Sequence, residues 1–451
     1  MYTQLSTKLK DKSAQVAVIG LGYVGLPLAT GLAKCGYRVT GLDASTPKVD
    51  SINAGRSYIP DVPSTDVAAL VNTATLGATT DYETLREMDV IFICVPTPFD
   101  SMKAPDLSFV RQAALGIAPR LHAGQLVVLQ STTYPGTTEE VVQPILEESG
   151  LIAGQDFFLA FSPERIDPGR VDFTVENTPK VVGGINPESA SLAGELLAYL
   201  TPQIHYVSTP RAAEMTKLLE NIFRSVNIAL VNELAILSER MGIDFWEVIE
   251  AAKTKPFGFM PFYPSPGVGG HCIPVDPYYL SWKAREYDFY TRFIELAAEV
   301  NGDMPYHTVE LIGRVLNCDG KSLRRANILI LGVAFKPNID DARNSPAERV
   351  IELLIREGAK VSYHDPYVPQ FRIGGDIVLK EKSLLTNVPL TVTTLSQSDC
   401  TVIITGHRDL DYKWIVNESK RVVDTVNATR HVIENRARIV RLGAPLQLKT
   451  E

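Results

Sequence analysis

The segment PGVGGHCIPVDP sets one thiol, Cys272, behind a run of glycines and four residues ahead of a carboxylate, Asp276. Glycines let backbone approach a ligand closely, and a thiolate beside a hydride acceptor can add to an aldehyde as soon as one forms. The adduct is a thiohemiacetal. Loss of a second hydride gives a thioester, and water then releases an acid, so one site could carry an alcohol through two oxidations. The competing reading of a lone cysteine is a small buried apolar residue. Cys35, Cys94, Cys318 and Cys400 fall in or beside predicted helices and strands and are assigned to packing. Cys272 stands instead in a Gly/Pro loop beside His271, which points to a nucleophile. Neighbours in an extended loop point apart, so His271 is given a positioning role at most.

A second group lies in EMTKLLEN, where Lys217 and Asn221 are spaced i and i+4 and share one face of a predicted helix. An ammonium and an amide donor side by side could hold an oxyanion growing on the reacting carbon. The alternative for Lys217 is a solvated helix face. A third group is VAVIGLGYVG, with Gly20, Gly22 and Gly25 in GxGxxG spacing between a predicted strand and a predicted helix. The first glycine allows the tight turn, the second lets backbone reach a pyrophosphate, and the third lets helix and strand pack closely. The next apolar run, YRVTGLD, ends in Asp43, placed to accept from adenosine ribose hydroxyls. That carboxylate would repel an extra phosphate, so the expected cofactor is NAD rather than NADP.

The elements that must position these groups follow a regular rhythm. Over residues 14–200 the runs AQVAVIG, YRVTGLD, DVIFICV, QLVVLQS, DFFLAFS and PKVVGG alternate with helical stretches, and their near-continuous apolarity predicts strands covered on both faces. From Pro210 some thirty residues without an internal proline lead to Gly242, which predicts one long helix with more apolar faces than a single neighbour can cover. After CDGKSLRRA a second series begins with NILILGVAF, AKVSYHD, CTVIITG and RVVDTV, with SPAERVIELLIREG helical between the first two. The expected fold is α/β: two Rossmann-like, doubly wound parallel-sheet domains joined by a helical middle. The expected boundaries are 1–207, 208–317 and 318–451.

At 451 residues the chain exceeds one hydrophobic core, and 45% hydrophobic with 21% charged residues is ordinary globular composition. A net charge of −8 gives no global attraction for nucleic acid or acidic membranes. The five cysteines lack CxxC spacing, which argues against disulfides and structural zinc, and no metal is expected. With no apolar run long enough for a membrane helix and no signal-peptide core, the expected location is the cytoplasm. The long helix predicts at least a homodimer.

The chain resembles the UDP-glucose/GDP-mannose dehydrogenase family through GLGYVGLPLA, CVPTP, QSTTYPGTT, SPERIDPG, EMTKLLEN, GVGGHCIPVDPYYL and LGVAFKPNIDDARNSP, in that order along nearly its whole length. The resemblance implies a UDP-sugar substrate oxidised twice at the cost of two NAD. It implies Cys272 as nucleophile, Asp276 assisting proton movement at the sulfur, and Lys217 with Asn221 at the oxyanion. It further implies Thr132 orienting a water and Glu164 helping to activate it for thioester hydrolysis. Tyr23, Val24, Lys48, Pro96, Thr97, Thr132 and Arg343 would join the glycine turn and Asp43 at NAD. Glu164, Arg165, Lys217, Asn221, Tyr263, Ser265, Gly267, Gly269, Phe335 and Lys336 would contact the nucleotide sugar, and the third domain would bind its UDP end.

One departure matters. Glucose-acting members carry a second glutamate where this chain has Pro168, so that carboxylate is not transferred, and Asp167 is the available substitute. SPERIDPG, KPFGFMPFYP and HCIPVDPYYLSWKAREY resemble the branch acting on UDP-N-acetylglucosamine. UDP-glucose, UDP-N-acetylmannosamine and GDP-mannose stay open within the class. Outside it stand a single-step NAD-dependent hydroxyacid dehydrogenase, which needs no thiol, and a non-catalytic dinucleotide sensor.

Overall fold

The computed structural model describes residues 1–100, 104–166, 177–270 and 273–446. His271 and Cys272 lie outside these, as do Asp167 and Pro168. The chain forms two compact units, Met1–Glu220 with Tyr278–Phe289, and Asn221–Pro277 with Tyr290–Glu451. The division falls inside the long helix Pro210–Met241.

The first unit is built on eight strands: β1 (Gln15–Ile19), β2 (Arg38–Leu42), β3 (Leu76–Thr79), β4 (Val90–Ile93), β5 (Leu126–Leu129), β6 (Phe158–Phe161), β7 (Lys180–Gly184) and β8 (Ile204–Val207). Their order is β3-β2-β1-β4-β5-β6-β7-β8. Every residue of β4, β5 and β6 is buried, as expected for strands sheathed by helices on both faces. All six expected runs are strands; β3 and β8 are additional, and their more exposed residues left no apolar run to read. The sheet is not wholly parallel: β7 runs antiparallel to β6, and β8 follows β7 in parallel. The reversal sets the start of β7 at the same end of the sheet as the carboxyl ends of β4, β5 and β6.

The second unit carries β9 (Asn327–Leu331), β10 (Lys360–His364), β11 (Gln370–Ile373), β12 (Ser383–Thr386), β13 (Cys400–Ile403), β14 (Val422–Asp424) and β15 (Ile439–Arg441). Five form a parallel sheet, β10-β9-β13-β14-β15, while β11 and β12 make a separate antiparallel pair. The helix Pro346–Arg356 buries Ala347, Val350, Ile351, Leu353 and Leu354 in this unit's core, and the Ser345 side chain caps its first turn. The long helix ends at Met241, and Gly242 follows with φ +74°, the left-handed stop its position predicts. No helix among the described residues is long and apolar enough to cross a membrane.

Candidate active site

The glycine turn is a cradle that side chains would fill. Gly20 has φ +93°, and a Cβ there would lie 2.5 Å from the Cys94 carbonyl oxygen. A Cβ on Gly25 would lie 1.8 Å from the Gly20 oxygen, so strand and helix could not meet. A Cβ on Gly22 would meet nothing within 4 Å. The space beside Gly22 is open at the start of the helix Gly25–Lys34, where unpaired amides favour an anion. Asp43, half-buried at the end of β2, accepts from Leu21 N and Ser45 N at 2.9 Å each, and Lys48 Nζ lies 3.1 Å from its Oδ2. These residues fit a dinucleotide: the space beside Gly22 is open, and Asp43 offers a carboxylate at the end of the neighbouring strand. Tyr23 is exposed and Val24 half-buried beside them.

Strand ends supply the next groups. Beyond β4, Pro96 is exposed and Thr97 half-buried, and the Tyr279 hydroxyl donates to the Thr97 and Pro98 carbonyls. Tyr279 is fully buried, and a tyrosine in VDPYYL carried no sequence signal of this anchoring role. Beyond β5 comes STTYPGTT, with Thr132 half-buried. Glu214 of the long helix fixes this turn, accepting from Gly136 N at 2.6 Å, Thr138 N at 2.9 Å and Thr138 Oγ1 at 2.7 Å. Burial raises the Glu214 carboxyl to about 6 against the opposing pull of those hydrogen bonds.

Beyond β6, Glu164 accepts four hydrogen bonds. Arg165 N and Ile166 N reach Oε1 at 2.8 and 2.9 Å; Lys180 Nζ and Gln130 Nε2 reach Oε2 at 2.6 and 3.2 Å. Burial acts to raise this carboxyl, but the Lys180 cation and the backbone donors win and hold it below the ordinary glutamate value. Arg165 turns toward Pro179 O at 2.8 Å and Glu220 at 2.7 Å. Lys180 was legible only as the second residue of the run PKVVGG, and nothing in that run marks it as a partner of SPER.

On the long helix Lys217 and Asn221 are both buried, which overturns the solvated-face alternative for Lys217. Lys217 pairs with no carboxylate among the described residues. In the second unit Asn221 donates from Nδ2 to Asp276 Oδ2 at 2.5 Å and accepts at Oδ1 from Arg224 Nη2 at 2.7 Å. The amide is thereby oriented, and one of its two N–H bonds is committed to Asp276. Asp276 is buried at the head of the helix Asp276–Ala284.

The residues before Cys272 are glycines for a reason that sequence reasoning missed. A Cβ on Gly269 would lie 2.8 Å from Asn344 O and 2.8 Å from Phe335 Cβ, so the protein itself presses on this backbone. Asn344 Nδ2 donates to Gly270 O at 3.1 Å, and Gly267 lies against Pro346 and Pro305. The loop is therefore seated on the segment 335–346, and Phe335 supports it. Ser265 donates from N to Asn232 Oδ1 and from Oγ to Gly267 O, both at 2.9 Å. Tyr263 is exposed, stacks on Trp246 and donates to Glu250 at 3.2 Å. Lys336 is half-buried, and Arg343 is exposed and bonded to Asp341 at 2.6 Å.

Comparison with known proteins now decides the family. Three models of the UDP-glucose/GDP-mannose dehydrogenase family match successive stretches: its NAD binding domain over residues 14–201, its central domain over 211–303 and its UDP binding domain over 329–431. The chain belongs to this family. It is an NAD-dependent nucleotide-sugar dehydrogenase, and the glycine turn with Asp43 lies in its NAD-binding domain. Among family relatives, UDP-N-acetyl-D-glucosamine 6-dehydrogenase of Pseudomonas aeruginosa is 39% identical over 364 residues, covering 79% of this chain and 84% of its own. UDP-N-acetyl-D-mannosamine dehydrogenase of Methanococcus maripaludis is 34% identical over 438 residues, 94% of this chain and 95% of its own. The solved UDP-D-ManNAc dehydrogenase of Pyrococcus horikoshii superposes with a TM-score of 0.86 at 32% identity, covering 96% of this chain and all of that one.

Proposed function

We propose that the chain oxidises the C6 alcohol of UDP-N-acetylglucosamine to the carboxylate in two steps through Cys272. The observation that carries the two-step reading is the buried bond from Asn221 to Asp276, which joins the long helix to the residue four positions after Cys272. When bound, NAD accepts the hydride of each oxidation. The Lys217 ammonium and the remaining Asn221 N–H stabilise the oxyanion on C6. The hydroxyl proton leaves to solvent with the first hydride transfer; Asp276 takes up the proton of the Cys272 thiol and releases it to solvent, the sulfur adds to the aldehyde, and the second oxidation leaves a thioester. Thr132 and Glu164 serve the water that hydrolyses it, returning the thiol and releasing the acid.

In this reading 1–207 holds NAD through Lys48 and Thr97, joined by Arg343 of the third region; 208–317 supplies the cysteine loop, and 318–451 holds UDP. Tyr263, Ser265, Gly267, Gly269, Phe335, Lys336 and Arg165 line the nucleotide-sugar site. The sugar assignment draws on the Pseudomonas relative and on Pro168 in place of a second glutamate. The second reading is the C2 epimer, UDP-N-acetylmannosamine, favoured by the Methanococcus and Pyrococcus relatives.

NADH formation with UDP-N-acetylglucosamine, UDP-N-acetylmannosamine, UDP-glucose and GDP-mannose separates these readings; a strong preference for UDP-glucose overturns both acetamido assignments. Cys272→Ala is expected to cut steady-state acid formation more than roughly a thousandfold. Retention of most activity would instead indicate a one-step enzyme. We also propose a homodimer. Phe223, Leu230, Leu237 and Met241 of the long helix are all exposed, as are Phe293 and Leu296 of the helix Arg292–Cys318. Light scattering showing only monomer contradicts it.

A further inference from the structure

The antiparallel turn of β7 puts a lysine where a wholly parallel sheet would not. In the β6–β7 register Ala160 faces Gly184 and Phe161 faces Gly183; carried on past Phe161, the same register sets Glu164 opposite Lys180. Lys180 is 1% exposed, and lysine is almost never buried unless its charge is matched. Its Nζ lies 2.6 Å from Glu164 Oε2, and no other carboxylate pairs with it among the described residues. We propose that Lys180 is a positioning residue for Glu164: its buried ammonium keeps the carboxylate charged and fixed, so that Glu164 orients the hydrolytic water rather than taking its proton. This rests on the role given to Glu164 above.

The surroundings support that division of labour. Four donors occupy Glu164, which fills its ordinary capacity as an acceptor. Gln130 makes the longest of the four bonds at 3.2 Å, so an entering water takes that place while the Lys180 bond holds. Gln130 in turn accepts from the Cys94 thiol at 3.6 Å, and burial pushes that thiol upward, so it stays protonated. On the other side stands the Arg165–Glu220 pair, whose charges already face each other at 2.7 Å. Lys180 is thus the cation that sets the state of Glu164. During hydrolysis the water oxygen bonds to the thioester carbon, the C–S bond breaks, one water proton passes to the departing Cys272 sulfur, and the other leaves to solvent as the product ionises to a carboxylate. Glu164 begins and ends as a carboxylate.

The test is the pH dependence of kcat for acid formation in the full-length enzyme with NAD and whichever of the four nucleotide sugars it turns over. Lys180→Gln keeps a donor but removes the charge, so the acid limb should move up by about 1–3 pH units. Cys272 thioester should then accumulate, read by mass after acid quench, at a mildly acid pH where the unsubstituted enzyme shows none. Lys180→Arg should leave the limb in place. An unmoved limb in Lys180→Gln, or an equal shift in Lys180→Arg, overturns the proposal. Glu164→Gln separates the two levels: if it leaves hydrolysis unchanged, the role of Glu164 itself fails. If it slows hydrolysis while Lys180→Gln shifts nothing, only the lysine inference fails. Should Lys180→Gln not fold, the Lys180→Gln/Glu164→Gln pair, neutral on both sides, is expected to fold, and its failure to do so overturns the proposal.

Discussion

Each unit opens its sheet with the same device, a strand, a glycine turn and a neighbouring strand that ends in an aspartate, yet the two turns are finished differently. In the first, Gly20-Leu21-Gly22 follows β1, and Asp43 after β2 accepts from Leu21 N at 2.9 Å. In the second, Gly332-Val333-Ala334 follows β9, and Asp365 after β10 accepts from Val333 N at 2.7 Å and Ala334 N at 3.0 Å. Where Gly22 leaves open space, Ala334 is buried. Asp43 stays half-buried beside Lys48, whereas Asp365 is fully buried with His407 Nε2 at 3.1 Å. His407 Nδ1 accepts from Asn338 N at 3.0 Å, which leaves Nε2 as the nitrogen that faces Asp365. The acid left half-open beside a lysine in one turn has become buried scaffold in the other.

The sharpest way to break this comparison is to remove both acids. Asp365→Ala strips a buried carboxylate from Val333 N, Ala334 N, Tyr367 N, Val368 N and His407, and is expected to cost the second unit about 3–5 kcal/mol. Asp43→Ala loses fewer, partly solvated bonds, so its expected cost falls on the ligand: KM for NAD rising by roughly 10–100-fold, about 1.4–2.7 kcal/mol, with little change in Tm. Calorimetry and NAD titration of the two variants read both effects. An Asp43→Ala protein as unstable as Asp365→Ala would make the two turns alike. Gly22→Ala follows in size: no neighbour opposes the new methyl, so the fold should hold while NAD binding weakens by about tenfold.

Much of this contrast was legible in the sequence, and what was missed has a physical pattern. Continuous apolar runs announced the six main strands of the first sheet, and GLGYVG with Asp43 announced the cradle, because those features depend on local chemistry. Strand direction does not: PKVVGG reads the same whether it runs with β6 or against it, so the approach of Lys180 to Glu164 was invisible. The glycines before Cys272 were read as room for a ligand, whereas Phe335, Asn344 and Pro346 occupy that room from some seventy residues away. Glu214, in the same helical stretch as Lys217, drew no reading from its sequence neighbours. Its burial against Gly136 and Thr138 depends on where the helix docks. Pairings distant in sequence were the ones lost.

The smallest expected effect contrasts two buried carboxylates across the units. Asp365 is held below the ordinary aspartate value, with burial opposed by the bonds from His407 and the backbone, whereas burial lifts Glu214 to about 6. A depressed acid adds stability that is present above its unfolded pKa of about 4 and disappears as the pH drops through the folded value. A raised acid does the reverse: between about 4.5 and 6 the folded state binds more protons than the unfolded chain, so stability falls as pH rises through that window. For Glu214 the difference is at most about 2 kcal/mol. Hydrogen exchange of the Gly136 and Thr138 amides, corrected for intrinsic rate, should therefore show greater protection at pH 5 than at pH 7, while the Val333 and Ala334 amides change little over that range and lose protection only below about pH 4. Glu214→Gln should flatten the first trend and leave the second intact. Parallel trends in the two pairs of amides would mean that both acids sit in equivalent surroundings, against the opposite shifts of Glu214 and Asp365.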